Sequence, residues 1–146
     1  MSNWEKSLGF NDINIVAEKL HDAIKSGVRI FLFSGEVGAG KTSLIKVLAQ
    51  KIGVDTPVQS PTFGVVHDYN SPLGKIQHSD WYRIRSVNEL IEMGLHEDLE
   101  SDLWFIEWPE IGMPILQDLP HLHLEIDLPL EIDTPNRTYR IINYTP

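Results

Sequence analysis

Hydrophobic and polar positions in the first third of the chain form two kinds of pattern, a helical period and a continuous apolar run. Residues 11–26 predict a helix, because their apolar side chains recur at steps of three and four and share one helical face: Ile13, Val16, Ala17, Leu20 and Ile24. Residues 28–34, VRIFLFS, are apolar nearly throughout, which is typical of a strand buried on both faces of a parallel sheet. A second helix is predicted over residues 41–52, with Gly53 as its stop.

The middle of the chain predicts two strands, a third helix and a further strand. Residues 53–62, GVDTPVQSPT, are too rich in Pro, Gly and Thr for regular structure. Strands are predicted over residues 63–69 and 75–82, on either side of the turn NSPLG. Residues 86–101 predict a helix that contains Gly94, and residues 103–106, LWFI, predict a short buried strand.

The C-terminal part has the alternation of a half-buried sheet. In HLHLEIDL, residues 121–128, every second position is apolar: Leu122, Leu124, Ile126 and Leu128. Residues 138–144, TYRIINY, predict a second strand there. Such alternation predicts an antiparallel sheet with one face in water. With 146 residues, the chain is predicted to form one α/β domain over residues 1–146, a mixed sheet with flanking helices and antiparallel C-terminal strands.

Composition narrows the classes of function. The net charge of -9 argues against a broad surface that clamps nucleic acid, because such surfaces neutralise phosphates with Lys and Arg. The absence of cysteine excludes disulfides, zinc–thiolate sites and cysteine nucleophiles. The start, MSNWEKSLGF, has no apolar signal core, and no run approaches the ~18 apolar residues of a membrane span. These features predict a cytoplasmic protein that does not bind a membrane.

A glycine-rich stretch joins the first predicted strand to the second predicted helix. Residues 35–42, GEVGAGKT, match the pattern G-x-x-x-x-G-K-[ST]. The glycines let backbone N–H groups approach phosphate oxygens, and the helix that follows adds the positive end of its dipole. Lys41 can reach the β- and γ-phosphates, and Thr42 can hold Mg²⁺ through its hydroxyl. A tight turn alone would not require the lysine, so the stretch predicts a P-loop. Its binding residues are Gly35, Glu36, Val37, Gly38, Ala39, Gly40, Lys41, Thr42 and Ser43.

Two carboxylates are candidates for the acid that a P-loop needs near the metal. Glu107 directly follows the buried strand LWFI, and Asp80 lies near the end of the strand that contains KIQHS. Either could bind Mg²⁺ directly or through water, or position the attacking water. For Glu107 a functional role is favoured over a strand-end cap. For Asp80 the sequence context favours neither the functional nor the structural interpretation. His78 is interpreted as packing or solvated.

Other candidates lie on predicted loops. Thr62, in Ser60-Pro61-Thr62, occupies the region where a switch-like loop of P-loop enzymes brings a hydroxyl to the γ-phosphate, although an ordinary proline turn would have the same sequence. Trp108 could stack on a base or a partner, or pack in the core. Four residues are arginine-finger candidates by charge alone, with surface solvation as the default: Arg83, Arg85, Arg137 and Arg140.

Four motifs in this order and spacing resemble the bacterial TsaE (YjeE) family of ATPases: GEVGAGKTS, SPTFGVVHDY, HSDWYRI and FIEWPE. The resemblance covers roughly residues 27–112. It implies that the protein binds ATP and Mg²⁺ and associates with TsaD and TsaB, which transfer a threonylcarbamoyl group to adenosine 37 of tRNA. ATP hydrolysis would then support repeated turnover, and tRNA would be met indirectly, through the complex.

The resemblance also implies roles for single residues. Thr42 and Glu107 become the metal ligands, with Asp80 as the aspartate of an HxD motif that hydrolysis needs. Thr62 takes the place of the switch-like threonine, and Trp108 that of the aromatic residue beside the metal acid. Arg137 lies where the family often has Gly-Arg, here Asn136-Arg137, and is predicted to bind the nucleotide. Trp81-Tyr82 replaces the family's usual Leu-Tyr.

Two other functions share the same phosphate loop. A small-molecule or nucleotide kinase would need a second substrate pocket and usually a lid bearing arginines, and no arginine-rich segment follows Glu107. A nucleotide-gated binding module without hydrolysis would share every motif named above. A GTPase is disfavoured because the chain has no Asn-Lys-x-Asp element to read guanine.

Overall fold

The computed structural model describes residues 4–61, 66–129 and 136–145. Seven strands form one sheet in the order β1-β7-β6-β2-β5-β4-β3. Their bounds are β1 Glu5–Leu8, β2 Ile30–Ser34, β3 Val66–Ser71, β4 Gly74–Asp80, β5 Leu103–Glu107, β6 His121–Asp127 and β7 Arg137–Thr145. The α-helices are α1 Ile13–Lys25, α2 Lys41–Ile52, α3 Val87–Glu92 and α4 Met113–Leu116, and short 3₁₀ helices span Phe10–Asp12 and Pro109–Gly112.

The centre of the sheet is parallel and its edges are antiparallel. Strand β2 pairs in parallel with β5 on one side and β6 on the other, and β5 pairs in parallel with β4. The hairpin β3–β4, the pair β6–β7 and the pair β1–β7 are antiparallel. Because β2, β4 and β5 run in the same direction, their carboxyl ends meet at one edge of the sheet. Ligands of open α/β sheets bind at that edge.

Strand β2 separates two hydrophobic layers. Phe31 and Phe33 belong to the core that α1 and α2 cover, whereas Leu32 packs in a second core with residues of α3 and α4, including Leu90 and Leu116. All five residues of β2 are buried. The near-continuous apolar run of the strand is therefore explained by burial on both faces, as predicted.

The first two helices confirm the helical patterns. The five apolar residues predicted to line α1 are at most 5% exposed. The predicted bounds of α2 coincide with the observed ones, and Gly53 ends that helix with φ +108°, a left-handed conformation that favours glycine. None of the helices in the described part of the chain is long and apolar enough to cross a membrane.

Two predictions of local structure were wrong in part. The helix predicted over residues 86–101 ends at Glu92, because Gly94 adopts φ +73° and the chain continues in turns. The predicted wet face of β6 is buried over its first half: His121 and His123 alternate with the leucines and are 0% and 8% exposed. Leu128, predicted on the apolar side, lies beyond the strand and is exposed.

Candidate functional site

The phosphate loop connects β2 to α2 at the carboxyl edge of the sheet. Gly38 and Gly40 have φ of +83° and +105°, and a Cβ atom at either would meet nothing within 4 Å. These residues therefore leave open space in front of the loop. At Gly35 a Cβ would lie 2.7 Å from the carbonyl oxygen of Ile126 on β6, so glycine is required there by close packing.

Lys41, the first residue of α2, folds back on the loop. It is 5% exposed, and its Nζ donates to the carbonyl oxygens of Gly35 at 2.5 Å and Glu36 at 3.0 Å. Burial lowers the pKa of the ammonium, an effect that the charges of Glu107, Asp80 and Glu110 oppose. The lysine is thus held as a buried cation beside carboxylates, and the loop carbonyls occupy its hydrogen bonds.

Glu107 lies between Thr42 and His78. The Thr42 hydroxyl donates to the two oxygens of Glu107, at 2.8 and 3.1 Å, and His78 Nε2 lies 2.6 Å from Oε2. Glu107 is 3% exposed and His78 fully buried. His78 Nδ1 has no hydrogen-bond partner among the described residues, so we assign the proton to Nε2, which donates to the carboxylate. Of the two alternatives for His78, packing or solvated, the second was wrong because the side chain is fully buried, and the residue also contacts the site acid.

Asp80 is the neighbour of Glu107 across the paired ends of β4 and β5. Its Oδ1 accepts the backbone N–H of Tyr82 at 2.8 Å. Burial raises the pKa of Asp80, with a further rise from the charge of Glu107, while the Tyr82 hydrogen bond, Lys41 and His78 act in the other direction. The two predicted acids are therefore adjacent, but their hydrogen-bond environments differ.

Trp108 joins the end of β5 to the following 3₁₀ helix and has an unusual backbone conformation. Its φ of +56° lies in the left-handed region, and its N–H donates to Phe33 on β2 at 3.1 Å. The indole covers the Lys41 ammonium, with Nζ 4.2 Å from the ring centroid, and its ring lies 4.5 Å from that of Tyr82. Trp108 is half-buried, so its indole is a wall of the site instead of a core residue.

These residues line one cleft of about 530 Å³. Its polar wall includes Lys41, Thr42, Asp80 and Glu107, and its apolar wall is formed by Phe10, Ile13, Val37, Tyr82, Trp108 and Tyr139. Ser60 and Pro61 also border it, whereas Thr62 lies outside the described residues.

The arginine candidates divide between the cleft and other surfaces. Arg83 and Arg137 line the cleft. Arg137 Nη2 lies 3.4 Å from the carbonyl oxygen of Gly38, and its Nε is buried without a partner in the described part of the chain. Arg85 borders a separate hollow beside α3. Arg140 forms ion pairs with three carboxylates of the β1–β7–β6 edge, those of Glu5, Glu125 and Asp127.

The residues present fit a magnesium nucleotide. Mg²⁺ prefers oxygen ligands at about 2.1 Å, so neighbouring ligand oxygens of an octahedral ion lie about 3.0 Å apart. The Thr42 hydroxyl and the Glu107 carboxylate are separated by 2.8 to 3.1 Å. The described residues contain no group of three or more His, Asp or Glu side chains that could hold a metal. The unpaired Arg137 Nε is a further donor for an anion.

Sequence reasoning missed two polar residues at this site, His78 and Glu110, and four residues of its apolar wall, Phe10, Ile13, Tyr82 and Tyr139. Glu110 contacts Ser34 and contributes to the charge around Lys41. In the sequence, Glu110 could have been identified from its position in the motif FIEWPE, three residues after Glu107. For His78, the signal was its spacing of two from Asp80, because alternate residues of a strand share a face.

A phosphate loop between a parallel strand and a helix, with an acid at the end of the neighbouring strand, defines a P-loop-type protein. The model of one family, described as "Threonylcarbamoyl adenosine biosynthesis protein TsaE", matches residues 9–139. The chain therefore belongs to the TsaE family, as its motifs predicted.

Individual relatives and a solved structure agree with this membership. Proteins named "tRNA threonylcarbamoyladenosine biosynthesis protein TsaE" are similar in Rickettsia bellii, 37% identical over 78% of this chain and 77% of the relative, and in Aquifex aeolicus, 32% identical over 86% of each. A Rickettsia prowazekii relative is 41% identical over 56% of this chain and 58% of its own length. The crystal structure of Bacillus subtilis YdiB has a TM-score of 0.61 and 21% identity, over 96% of this chain and 87% of that one, and supports the fold.

Proposed function

We propose that this protein binds and hydrolyses ATP with Mg²⁺ as a subunit of the machinery that forms threonylcarbamoyladenosine at position 37 of tRNA. The observation that carries the proposal is the contact between Thr42 and Glu107, whose oxygens lie 2.8 and 3.1 Å apart across the phosphate loop. This contact joins the start of α2 to the end of β5 at the position where a P-loop holds its metal. The matching family model gives the biosynthetic context.

Each residue of the cleft has a proposed task. The loop backbone from Gly35 to Gly40 and Lys41 would hold the phosphates, with Ser43 and Arg137 at their border, and Trp108 would cover the lysine. Thr42 and Glu107 would hold Mg²⁺, and Asp80 would complete its shell or accept a proton from water. When bound, Mg²⁺ neutralises charge that develops on the phosphates. Thr62 stays a proposed γ-phosphate contact on sequence grounds.

The work that hydrolysis supports would be done by other proteins. We propose TsaD and TsaB as the partners and the cytoplasm as the location, with tRNA met through the complex. The acidic chain, with a net charge of -9, suits binding to basic protein surfaces better than holding tRNA alone. Slow hydrolysis by the isolated protein and faster hydrolysis in the complex are expected, because a partner can supply a missing group.

The test is ATP hydrolysis and nucleotide-dependent association measured in the same samples. The purified chain is assayed alone and with TsaD, TsaB and tRNA, at fixed Mg²⁺ and with EDTA. Lys41→Ala should abolish ATP binding, whereas Lys46→Ala, which changes an exposed lysine of the same helix, should leave it unchanged. Phosphate released to water and association that requires ATP would support the proposal.

Each alternative function has its own outcome in this test. Transfer of the phosphoryl group to a metabolite would favour a kinase. ATP-dependent association without hydrolysis, alone or in complex, would favour a nucleotide-gated module. Absence of both ATP binding and association with TsaD–TsaB would overturn the proposal.

A further inference from the structure

A second hydrogen-bonded cluster, formed by Ser34, His123 and Glu110, lies at the residue where β2 enters the phosphate loop. Ser34, the last residue of β2 and the one before Gly35, has its Oγ 2.6 Å from His123 Nε2 on β6. The same oxygen lies 3.2 and 3.3 Å from the two carboxylate oxygens of Glu110 in the 3₁₀ helix after Trp108. Ser34 and His123 are each 8% exposed. Three separate elements thus meet at one buried hydroxyl.

The chemistry of the three groups fixes the direction of the hydrogen bonds. Burial and the neighbouring His121 lower the pKa of His123 to about 4, so the imidazole is neutral at pH 7. An ionised Glu110 can only accept a hydrogen bond. The Ser34 hydroxyl therefore donates to Glu110 and accepts from the Nε2–H of His123, an arrangement in which the hydroxyl both donates and accepts. His123 orients the hydroxyl, and the hydroxyl holds the carboxylate.

The cluster helps to attach the segment that contains Trp108 to the end of β2. That segment is attached to the end of β2 at two adjacent residues: Phe33 accepts the Trp108 N–H at 3.1 Å, and Ser34 contacts Glu110. At the first of these attachments Trp108 has its left-handed φ of +56°, which a bulky residue adopts only when its surroundings impose it. The indole held in this way is the one that covers Lys41.

We propose that Glu110, held by Ser34 and His123, is a positioning residue that fixes the Trp108 indole over the phosphate-loop lysine. Glu110 does not itself reach the reacting atoms in this assignment. It sets the position of the wall against which the phosphates bind, and its charge adds to the field around Lys41. The position of Trp108 is a statement about the protein alone, whereas the effect on nucleotide rests on the proposed function.

The first experiment measures the indole directly. Of the four tryptophans, Trp81 and Trp104 are buried at 1% and 2% exposure and Trp4 is half-buried. In a Trp4→Phe background, acrylamide therefore reports on Trp108. Ser34→Ala and Glu110→Ala should raise the quenching constant by roughly twofold, because a loosened 3₁₀ segment exposes the indole. Glu110→Gln keeps an acceptor oxygen for Ser34 and should restore the original value.

The matched control is a second buried histidine on the same strand. His121 lies two residues before His123 on the same face of β6, is fully buried, and bonds to Leu119 and Asn143, away from Ser34. His123→Asn should raise quenching, and His121→Asn should not. Circular dichroism melting curves check that each variant is folded. If Ser34→Ala fails to fold, Glu110→Ala still tests the proposal, because Glu110 is exposed.

The second experiment splits binding from turnover. Ser34→Ala and Glu110→Ala should weaken binding of a fluorescent ATP analogue by about 2- to 10-fold, the change that one hydrogen bond corresponds to. The value of kcat should stay within about twofold, since Thr42, Glu107 and His78 are untouched. Unchanged quenching in both variants would overturn the inference. Changed quenching in a protein that binds no ATP would uphold it and overturn the proposed function instead.

Discussion

The carboxyl ends of β4 and β5 lie side by side and carry two acids with opposite surroundings. Glu107 is 3% exposed and receives hydrogen bonds from the Thr42 hydroxyl and from His78. Asp80 is half-buried, receives one backbone hydrogen bond from Tyr82, and has a raised pKa caused first by burial. A carboxylate with fixed partners is suited to hold a metal, whereas one with a raised pKa and an open side is suited to exchange a proton.

The largest expected effect comes from removing the fixed acid. Glu107→Ala should lower kcat for ATP hydrolysis by about 10³-fold, because the proposed metal ligand is lost and Thr42 and His78 lose their shared acceptor. The measurement is steady-state hydrolysis in the presence of the proposed partners TsaD and TsaB, with the Mg²⁺ dependence of ATP binding measured in parallel. Glu97→Ala, at an exposed position, is the control. Hydrolysis near the wild-type rate would remove Glu107 from the metal site.

Removing the carboxylate of Asp80, the acid with fewer fixed partners, should lower kcat and leave ATP binding nearly unchanged. Asp80→Asn should lower kcat by about 10²-fold, the usual contribution of a positioned acid or base. The dissociation constant of ATP should change by less than about threefold, because the phosphate loop stays intact. Asp68→Asn, on the exposed side of the β3–β4 hairpin, serves as its control. A loss of ATP binding equal to the loss of kcat would make the two acids equivalent and end the distinction between them.

The packing around Trp81, which links the ends of β4 and β5, can be disturbed by a substitution that changes neither acid. Trp81 follows Asp80, and its backbone N–H donates to the Glu107 carbonyl oxygen at 3.0 Å. A Cβ at Gly112 would lie 2.2 Å from the Trp81 ring. Gly112→Ala should therefore lower the free energy of unfolding by about 1–3 kcal/mol through overpacking. Chemical denaturation measures this change. Gly9→Ala, whose Cβ would meet the Asn136 side chain at 3.3 Å, should cost less, and equal losses would contradict the packing argument.

The smallest effect concerns stability and pH. The raised pKa of Asp80 means that the folded state binds a proton more tightly than the unfolded state, so its charged form destabilises the fold at neutral pH. Asp80→Asn should then raise Tm by roughly 1–4 °C at pH 7. The gain should shrink as the pH falls below the raised pKa of Asp80 and should vanish well below the ordinary value of 3.8, where both states are protonated. Calorimetry at several pH values tests this, and a gain that grew in acid would reverse the sign of the argument.

The centre of the sheet was predictable because its signals are local. The buried strand β2, helix α2 and the phosphate loop follow from apolar periodicity and glycine spacing, and the structure confirms these elements. Glu107 was a candidate because it follows the apolar strand LWFI, and Asp80 because it lies at the end of the strand that contains KIQHS. Their adjacency was not predictable, since it depends on the register of β4 against β5, which no local pattern encodes.

Three of the errors have their cause in tertiary contacts. The first half of β6 was expected to have a wet face, but its histidines are buried by partners distant in sequence, as at Ser34 and Asn143. Strand β1 was not predicted at all: its sequence EKSL is short and polar, and only pairing with β7 makes it a strand. His78 was undervalued because its acceptor, Glu107, lies 29 residues away in sequence.

The pairing of β1 with β7 also constrains the order in which the molecule can be made. Glu5 and Arg140 are 135 residues apart along the chain and are joined at 2.6 Å. A contact of such sequence separation closes a very large loop, which is entropically costly and slow to form. During vectorial synthesis, the phosphate loop and both acids, Asp80 and Glu107, would leave the ribosome well before β7, which supplies Arg137 and Tyr139 to the cleft. The nascent chain would therefore have an incomplete cleft while β6 still presented an unpaired edge, and that interval is when the growing protein would be most exposed to aggregation.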